Sequence, residues 1–170
     1  MNKKYILVEF NFDNEGTAWD YIPSGTIFAY SEEKARKELL MEMETHLNIL
    51  LETKNCLSTA LEKYDDYVGK DVIIDSNSQE EKFVGLMYSV STLYGKYKFS
   101  KISYEAKHMI SKEKIEKCYA DEIERFDKLL KLIEEVKLGK HDITKINTLA
   151  YCAAGIKLRK AVAVVDFEEE

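Results

Sequence analysis

SEEKARKELLMEMETHLNILLETKNCLSTALEKYDDYVG, residues 31–69, is the longest periodic stretch of the chain and decides its fold class. Its apolar residues recur at alternating intervals of three and four, the heptad pattern of a helix that packs along one face. Ser31 is placed to cap the N-terminus, and Gly69 is a residue type that ends helices. The pattern leaves open whether residues 31–68 form one helix or two. The predicted seam consists of Leu40, Met43, Leu47, Leu50, Lys54, Leu57, Leu61, Tyr64 and Val68.

Lys54 is the only charged residue of this predicted seam. In a seam that packs within one chain, a lysine is expected to extend to the edge of the bundle. In a seam between two chains, it would set register and oligomeric state. Because residues 114–136 supply a second amphipathic helix in the same chain, we favour internal packing and expect a monomer or a weak homodimer.

Three more helices are predicted beyond Gly69. Ser78 and Glu81 resemble a capping box and open a helix that is expected to end near Gly95. Its apolar face would hold Phe83, Met87, Val90 and Tyr94. Ser111 opens the next helix, which Gly139 ends, with a face of Ile115, Tyr119, Ile123, Phe126, Leu130 and Ile133. Asp142 caps a fourth, with Ile146, Leu149, Ala153 and Ile156 on one face.

Strand composition is concentrated near the two ends of the sequence. Residues 4–12, 26–30 and 161–167 are rich in β-branched and aromatic residues, and the first two are expected to form a hairpin with a long connection. The fold class is therefore α+β: predominantly helical, with about four helices, including one long heptad-patterned helix or helix pair. These helices are expected to pack on a small antiparallel sheet formed by the N-terminal hairpin and the C-terminal strand.

Composition limits the classes of protein to consider. The 170 residues, 45% of them hydrophobic, suit one domain spanning residues 1–170. No stretch is apolar for the roughly 20 residues that span a bilayer, so we expect a cytoplasmic protein without a membrane partner. The three cysteines are far apart, which predicts free thiols rather than disulfides.

No reactive constellation emerges from the sequence. The phosphate-loop, dinucleotide and nucleophile-elbow motifs are absent, and the histidines His46, His108 and His141 are scattered. We therefore predict no catalytic residue, no cofactor and no metal site. If a metal-dependent nuclease were shown, Asp65, Asp66 and Asp71 would be its candidate ligands. Cys152 lies among alanines and is interpreted as a packing residue of the fourth helix.

Charge is distributed unevenly. Residues 96–117 hold seven lysines against three glutamates, a net charge of +4, which leaves −10 for the rest of a chain whose net charge is −6. Lysines that alternate with aromatic residues are typical of single-stranded nucleic acid binding. The sequence does not decide whether residues 96–110 are strand or helix. The candidate nucleic-acid-binding residues are Lys96, Tyr97, Lys98, Phe99, Lys101 and Lys107.

The sequence therefore favours a non-enzymatic regulatory or accessory protein that binds another protein. Its lysine-, isoleucine- and tyrosine-rich composition suggests a phage or mobile-element source. An acidic protein of this kind could inhibit a host protein, such as a nucleic-acid enzyme, by occluding a basic groove. The alternatives are a nucleic-acid-binding protein that uses residues 94–117, and an enzyme whose site the sequence does not reveal. No family resemblance follows from these residues.

Overall fold

The fold is known from a computed structural model, in which the described part of the chain is predominantly helical. Helices α1 (Glu32–Tyr67), α2 (Gln79–Met87) and α3 (Lys112–Lys137) have 36, 9 and 26 residues. The strands are β1 (Lys3–Asn11), β2 (Ser24–Ala29), β3 (Val72–Asp75), β4 (Leu93–Lys98), β5 (Lys101–Ala106), β6 (Tyr151–Ala153), β7 (Ile156–Leu158) and β8 (Lys160–Phe167). The structure describes residues 3–11, 24–70, 72–75, 79–88, 93–98, 101–106, 109–140, 151–153, 156–158 and 160–167.

The long heptad segment forms one helix, α1, and its ends are capped as the sequence predicts. The backbone N–H of Lys34 donates to Oγ of Ser31 at 3.2 Å, which satisfies a donor of the first turn. Gly69 follows the helix with a φ of 72°, a conformation that glycine adopts without steric cost. For α3, the N–H of Lys114 donates to Oγ of Ser111 at 3.4 Å, and Gly139 has a φ of 68°.

The chain divides into two compact units, and both α1 and α3 contribute to each of them. One unit comprises Met1–Leu51 and Glu124–Glu170, and the other comprises Glu52–Ile123. The prediction of a single domain stays a prediction. The unit that contains both chain ends is called the terminal unit, and Glu52–Ile123 is called the central unit.

The terminal unit contains a three-stranded sheet in the order β2-β1-β8. Strand β1 is antiparallel to both neighbours, with Val8 paired to Ile27 on β2 and Ile6 paired to Val164 on β8. Alternate residues of β1 and β2 are buried together with residues of the first half of α1 and the second half of α3. The buried cluster consists of Val8, Phe10, Ile27, Ala29, Ala35, Leu39, Met43, Leu50, Leu129, Leu132, Ile133 and Val136.

The central unit contains a second antiparallel sheet, in the order β3-β5-β4, together with α2. The ring of Tyr67 meets the ring of Phe83 edge to face, with the centroids 6.3 Å apart. The hydroxyl of Tyr64 donates to the carbonyl oxygen of Ile110 at 2.6 Å. The buried cluster consists of Leu57, Ala60, Phe83, Val84, Met87, Tyr88 and Ile115.

The buried face of α1 differs from the predicted seam at every second position, where the buried residue is the one directly before the predicted one. Met43, Leu50 and Leu57 are buried as expected, but between them the structure buries His46 and Thr53. The predicted members Leu47, Lys54 and Leu61 are only partly buried. In α3 the same shift buries Glu122 and Leu129 in place of Ile123 and Leu130. The face that is covered most deeply thus carries polar side chains that an apolar pattern passes over.

Two predicted helices differ from the structure. Helix α2 ends at Met87, and Tyr94 belongs to strand β4, so the expected continuation to Gly95 is wrong. Ala153 and Ile156, predicted on a fourth helix, lie in the antiparallel strands β6 and β7, and Cys152 pairs with Lys157 there. Extended backbone suits this part of the chain because Tyr151, Ile156 and the following valines favour strands. Residues 141–150, the first part of that predicted helix, are outside the described residues.

Candidate interaction surfaces

The most exposed aromatic side chains of the described residues lie at the end of strand β2. Ile27 and Ala29 are buried, and the intervening Phe28 is 47% exposed because alternate residues of a strand lie on opposite faces. Tyr30, directly after the strand, is 67% exposed. Leu7 occupies the register position opposite Phe28 on β1. Phe28 and Tyr30 are called the aromatic patch below.

The first turn of α1 holds one side of this patch in place. The Lys34 ammonium lies 4.5 Å from the centroid of the Tyr30 ring, a cation–π distance. The first turn also carries Glu32 and Glu33, and the Glu32 carboxylate accepts a hydrogen bond from the Arg36 guanidinium at 2.7 Å. These two carboxylates lie at the positive end of the helix dipole, where negative charge is stabilised, two and three residues after Tyr30.

Strand alternation in TIFAY, residues 26–30, is the signal that could have revealed this patch from the sequence. Ile27 and Ala29 already provide an apolar face for the core, so the aromatic residues at 28 and 30 add large apolar side chains beyond what the core requires. Exposed apolar side chains on an edge strand mark a candidate interaction surface.

The structure resolves the open question about the basic segment in favour of strands. Lys96, Tyr97 and Lys98 lie on β4, and Lys101 lies on the adjacent β5. The antiparallel register therefore brings four of the six candidate nucleic-acid-binding residues into one ladder. The remaining two, Phe99 and Lys107, are outside the described residues.

The two described acidic residues that were proposed for a metal site, Asp65 and Asp66, lie at the surface. Asp65 is exposed and accepts a hydrogen bond from the Lys112 ammonium at 3.1 Å. Asp66 is also exposed, and Asp71 lies outside the described residues. Among the described side chains, no group of three histidine, cysteine, aspartate or glutamate residues is arranged to hold a metal ion.

His46 is a titratable side chain that is removed from water. It is fully buried on α1, and burial lowers its pKa from 6.5 to about 4, since the charged imidazolium loses its hydration. His46 is therefore neutral at pH 7. His108 and His141 are outside the described residues.

The two cysteines with described side chains, Cys56 and Cys118, are free thiols. Burial and the nearby Glu52 carboxylate raise the pKa of the Cys56 thiol, although the Lys82 ammonium acts in the opposite direction. Because the thiolate is the nucleophilic form, this environment reduces the reactivity of Cys56 at neutral pH.

No protein family model, curated protein or solved structure matches the chain. None of the helices in the described ranges is both long and apolar enough to cross a bilayer. Functional proposals for this protein therefore rest on its own surfaces.

Proposed function

We propose that this protein is a non-enzymatic regulatory or accessory protein that binds another protein through the aromatic patch on β2. The observation that supports this proposal is the exposure of two large aromatic side chains, Phe28 and Tyr30, beside a well-packed core. Aromatic side chains contribute disproportionately to binding when a partner buries them, and tyrosine is enriched among the residues that dominate interfaces.

The geometry around Tyr30 favours recognition by a preformed surface. A ring already held by Lys34 loses less conformational freedom on binding than a freely rotating ring would. Strand β2 also lies at the edge of the order β2-β1-β8, so within the described strands it pairs with β1 alone. An edge strand offers backbone donors and acceptors to an extended partner segment.

The acidic character of the chain indicates the chemistry of the partner. Glu32 and Glu33 follow Tyr30 in the first turn of α1, and the chain has a net charge of −6, although the Lys34 ammonium lies over the Tyr30 ring. A partner with an apolar pocket flanked by lysine or arginine complements this arrangement. Occlusion of the basic groove of a host nucleic-acid enzyme, by a phage- or mobile-element-encoded inhibitor, is the mode of action that we propose.

The wider expectations from the sequence belong to the same proposal. We infer an α+β protein whose helices pack on the sheet of the N-terminal hairpin and the C-terminal strand, acting in the cytoplasm as a monomer or weak homodimer. The free thiols of Cys56 and Cys118 suit a reducing compartment. The burial of Met43, Leu50 and Leu57 by their own unit supports a seam that packs internally.

Affinity capture with a matched pair of variants tests the aromatic patch. Phe28→Asp places a charge in the patch, whereas Met41→Asp places the same charge at another exposed apolar residue, which is 59% exposed on α1. We expect wild type and Met41→Asp to retain a common protein from a host lysate, and Phe28→Asp to lose it. Titration of that purified protein, with circular dichroism to verify folding, then gives the affinities of all three forms.

The same experiment can reject the proposal. Equal retention by the wild type and both variants would place the interface elsewhere on the molecule. Enrichment of no protein above a tag-only control, from lysates of several candidate hosts, would remove the evidence for a protein partner.

A further inference from the structure

The β4–β5 ladder separates the residues of the basic segment onto two faces. Residues paired directly across an antiparallel ladder share a face, and successive residues alternate between faces. The register pairs Lys98 with Lys101, and Lys96 with Ser103. The three lysine positions therefore fall on one face of the ladder.

Tyr94 and Tyr97 fall on different faces. Tyr94 is two residues before Lys96 and pairs with Glu105, so its position is on the lysine face. Tyr97 pairs with Ile102, and both positions are on the opposite face. The sequence grouped Tyr97 with the lysines, but the register replaces it with Tyr94.

The position of β3 identifies which face adjoins the core. Val72 is partly buried and packs against the cluster of the central unit that contains Phe83 and Met87. Val72 pairs with Ala106, which pairs in turn with Leu93. Because this row shares its face with Tyr97, the lysine positions belong to the face of the sheet opposite the core.

The lysine positions are also concentrated at the far end of the ladder. Strand β3 pairs with β5 from Ser103 to Ala106, so among the described strands Lys101 pairs with β4 alone. Lys98 and Lys101 are directly opposite, and like charges at such positions destabilise a ladder. Acidic positions on the same face lie nearer the other end of the sheet, with Glu105 opposite Tyr94 and Asp75 opposite Ser103. An anionic partner next to Lys98 and Lys101 would relieve the repulsion there.

We infer that the ladder face holding Tyr94, Lys96, Lys98 and Lys101 binds single-stranded nucleic acid. Alternate residues of a strand are about 7 Å apart, so β4 presents one aromatic and two cationic positions in a row. A single strand offers phosphates to lysines and unpaired base faces to a tyrosine, whereas a duplex hides its base faces and an acidic peptide has none. This inference is independent of the protein-binding proposal because it uses a different surface in the other unit.

Fluorescence anisotropy with the full chain tests the ligand class. The probes are labelled 12-nucleotide single strands of DNA and RNA, the corresponding duplexes, and unlabelled polyglutamate as a competitor. We expect the single strands to bind more tightly than the duplexes and to resist polyglutamate. Their log–log salt slope should be about −2, from roughly 0.7 per phosphate contact and three lysines. Comparison of the affinities for the DNA and RNA probes shows whether binding depends on the sugar.

Substitutions on the two faces test the position of the site. Combined Lys98→Gln and Lys101→Gln should weaken binding at least about tenfold at low salt and reduce the slope magnitude by about 1.4. Tyr94→Leu should weaken binding by roughly tenfold. The matched control combines Lys114→Gln and Lys117→Gln, which remove two exposed lysines of α3 and should leave the affinity within about twofold. Tyr97→Leu, on the opposite face, should also leave it unchanged.

Several results would overturn the inference: tighter binding of duplexes, equal displacement by polyglutamate, or absence of salt-dependent binding to any single strand. An equal loss of affinity in the control variant, or a loss with Tyr97→Leu but not with Tyr94→Leu, would also overturn it. Circular dichroism and thermal melting verify that each variant is folded. If Tyr97→Leu does not fold, the two lysine pairs still decide the question.

Discussion

The buried interiors of the terminal unit and the central unit differ in chemistry. The terminal cluster is almost wholly aliphatic, built from valine, leucine, isoleucine and alanine with single Phe and Met side chains. The central cluster includes Phe83 and Tyr88, and Tyr64, Tyr67 and Tyr119 pack partly buried around it. An aliphatic interior depends on volume and shape, whereas one with tyrosines depends also on where each hydroxyl finds an acceptor. Each prediction below tests one side of this comparison.

The largest effect is expected for truncation of a fully buried leucine in the terminal unit. Leu39→Ala should reduce the free energy of unfolding by about 2–5 kcal/mol, because it removes buried methyl groups and leaves a cavity. Leu40→Ala, at the adjacent and only partly buried position, should cost clearly less. Urea denaturation of both variants measures the difference. A larger loss at Leu40 would show that the predicted seam, rather than the face buried in the structure, packs in solution.

The buried imidazole of His46 makes stability depend on pH. Its pKa is about 4 in the folded protein and 6.5 when unperturbed, so between these values the unfolded chain binds a proton that the folded protein does not. The free energy of unfolding should therefore fall as the pH decreases from 6.5 to 4, by about 3 kcal/mol in total from this group. Above pH 6.5 this contribution to stability is fully present.

The variant His46→Gln separates the contribution of His46 to this pH dependence from that of the carboxylates, which also titrate in acid. Denaturation of wild type and variant at pH 7.5, 5.5 and 4.5 should show the wild type losing more stability than the variant over this range. Parallel pH profiles would contradict the burial of a neutral histidine at position 46.

A pair of tyrosine variants tests the role of hydroxyl groups in the central unit. Tyr64→Phe removes a hydrogen bond to the carbonyl of Ile110 and should cost about 1 kcal/mol. Tyr88→Phe should be neutral or stabilising, because the buried Tyr88 hydroxyl has no acceptor among the described residues. Thermal denaturation ranks the two variants. A larger loss of stability for Tyr88→Phe than for Tyr64→Phe would show that the Tyr88 hydroxyl has an acceptor. It would also show that the hydrogen bond of Tyr64 to Ile110 contributes little.

The smallest effect is expected for Lys54→Leu on α1. Lys54 is partly buried, which suits a lysine at the edge of a packed face, so the change should be within about 0.5 kcal/mol or mildly stabilising. Light scattering across a hundredfold concentration range should give the same mass for wild type and variant. A change in mass between them would support a seam that packs between chains.

Local signals explain which helix boundaries could be predicted from the sequence. Ser31 and Ser111 each accept a backbone hydrogen bond from a residue three positions later, and Gly69 and Gly139 adopt positive φ directly after their helices. These interactions involve residues that are neighbours in sequence, so residue type and spacing are enough to indicate them. The helical predominance of the described chain was also predicted, but the sequence left open whether residues 31–68 form one helix or two.

Boundaries without such signals were predicted less well. No glycine follows α2 in the sequence before Gly95, and the apolar spacing of Phe83 and Met87 continues to Tyr94 although the chain changes to strand β4. In the predicted fourth helix, Ala153 and Ile156 matched helical spacing but belong to the hairpin of β6 and β7. Short apolar runs suit both structures, and the choice depends on which neighbours supply backbone hydrogen bonds.

The sequence by itself determined the heptad period of α1, the helical spacing of α3, the caps of both helices and the strand character of β1 and β8, because these depend on residues close together in the chain. Only the tertiary structure decided which side of each apolar stripe is buried. On α1 the deeper side carries Thr53 and Ala60, while the larger Leu47 and Leu61 lie partly exposed at its edge. Small side chains allow another element to approach closely, and that approach, rather than hydropathy alone, determines how completely a residue is covered.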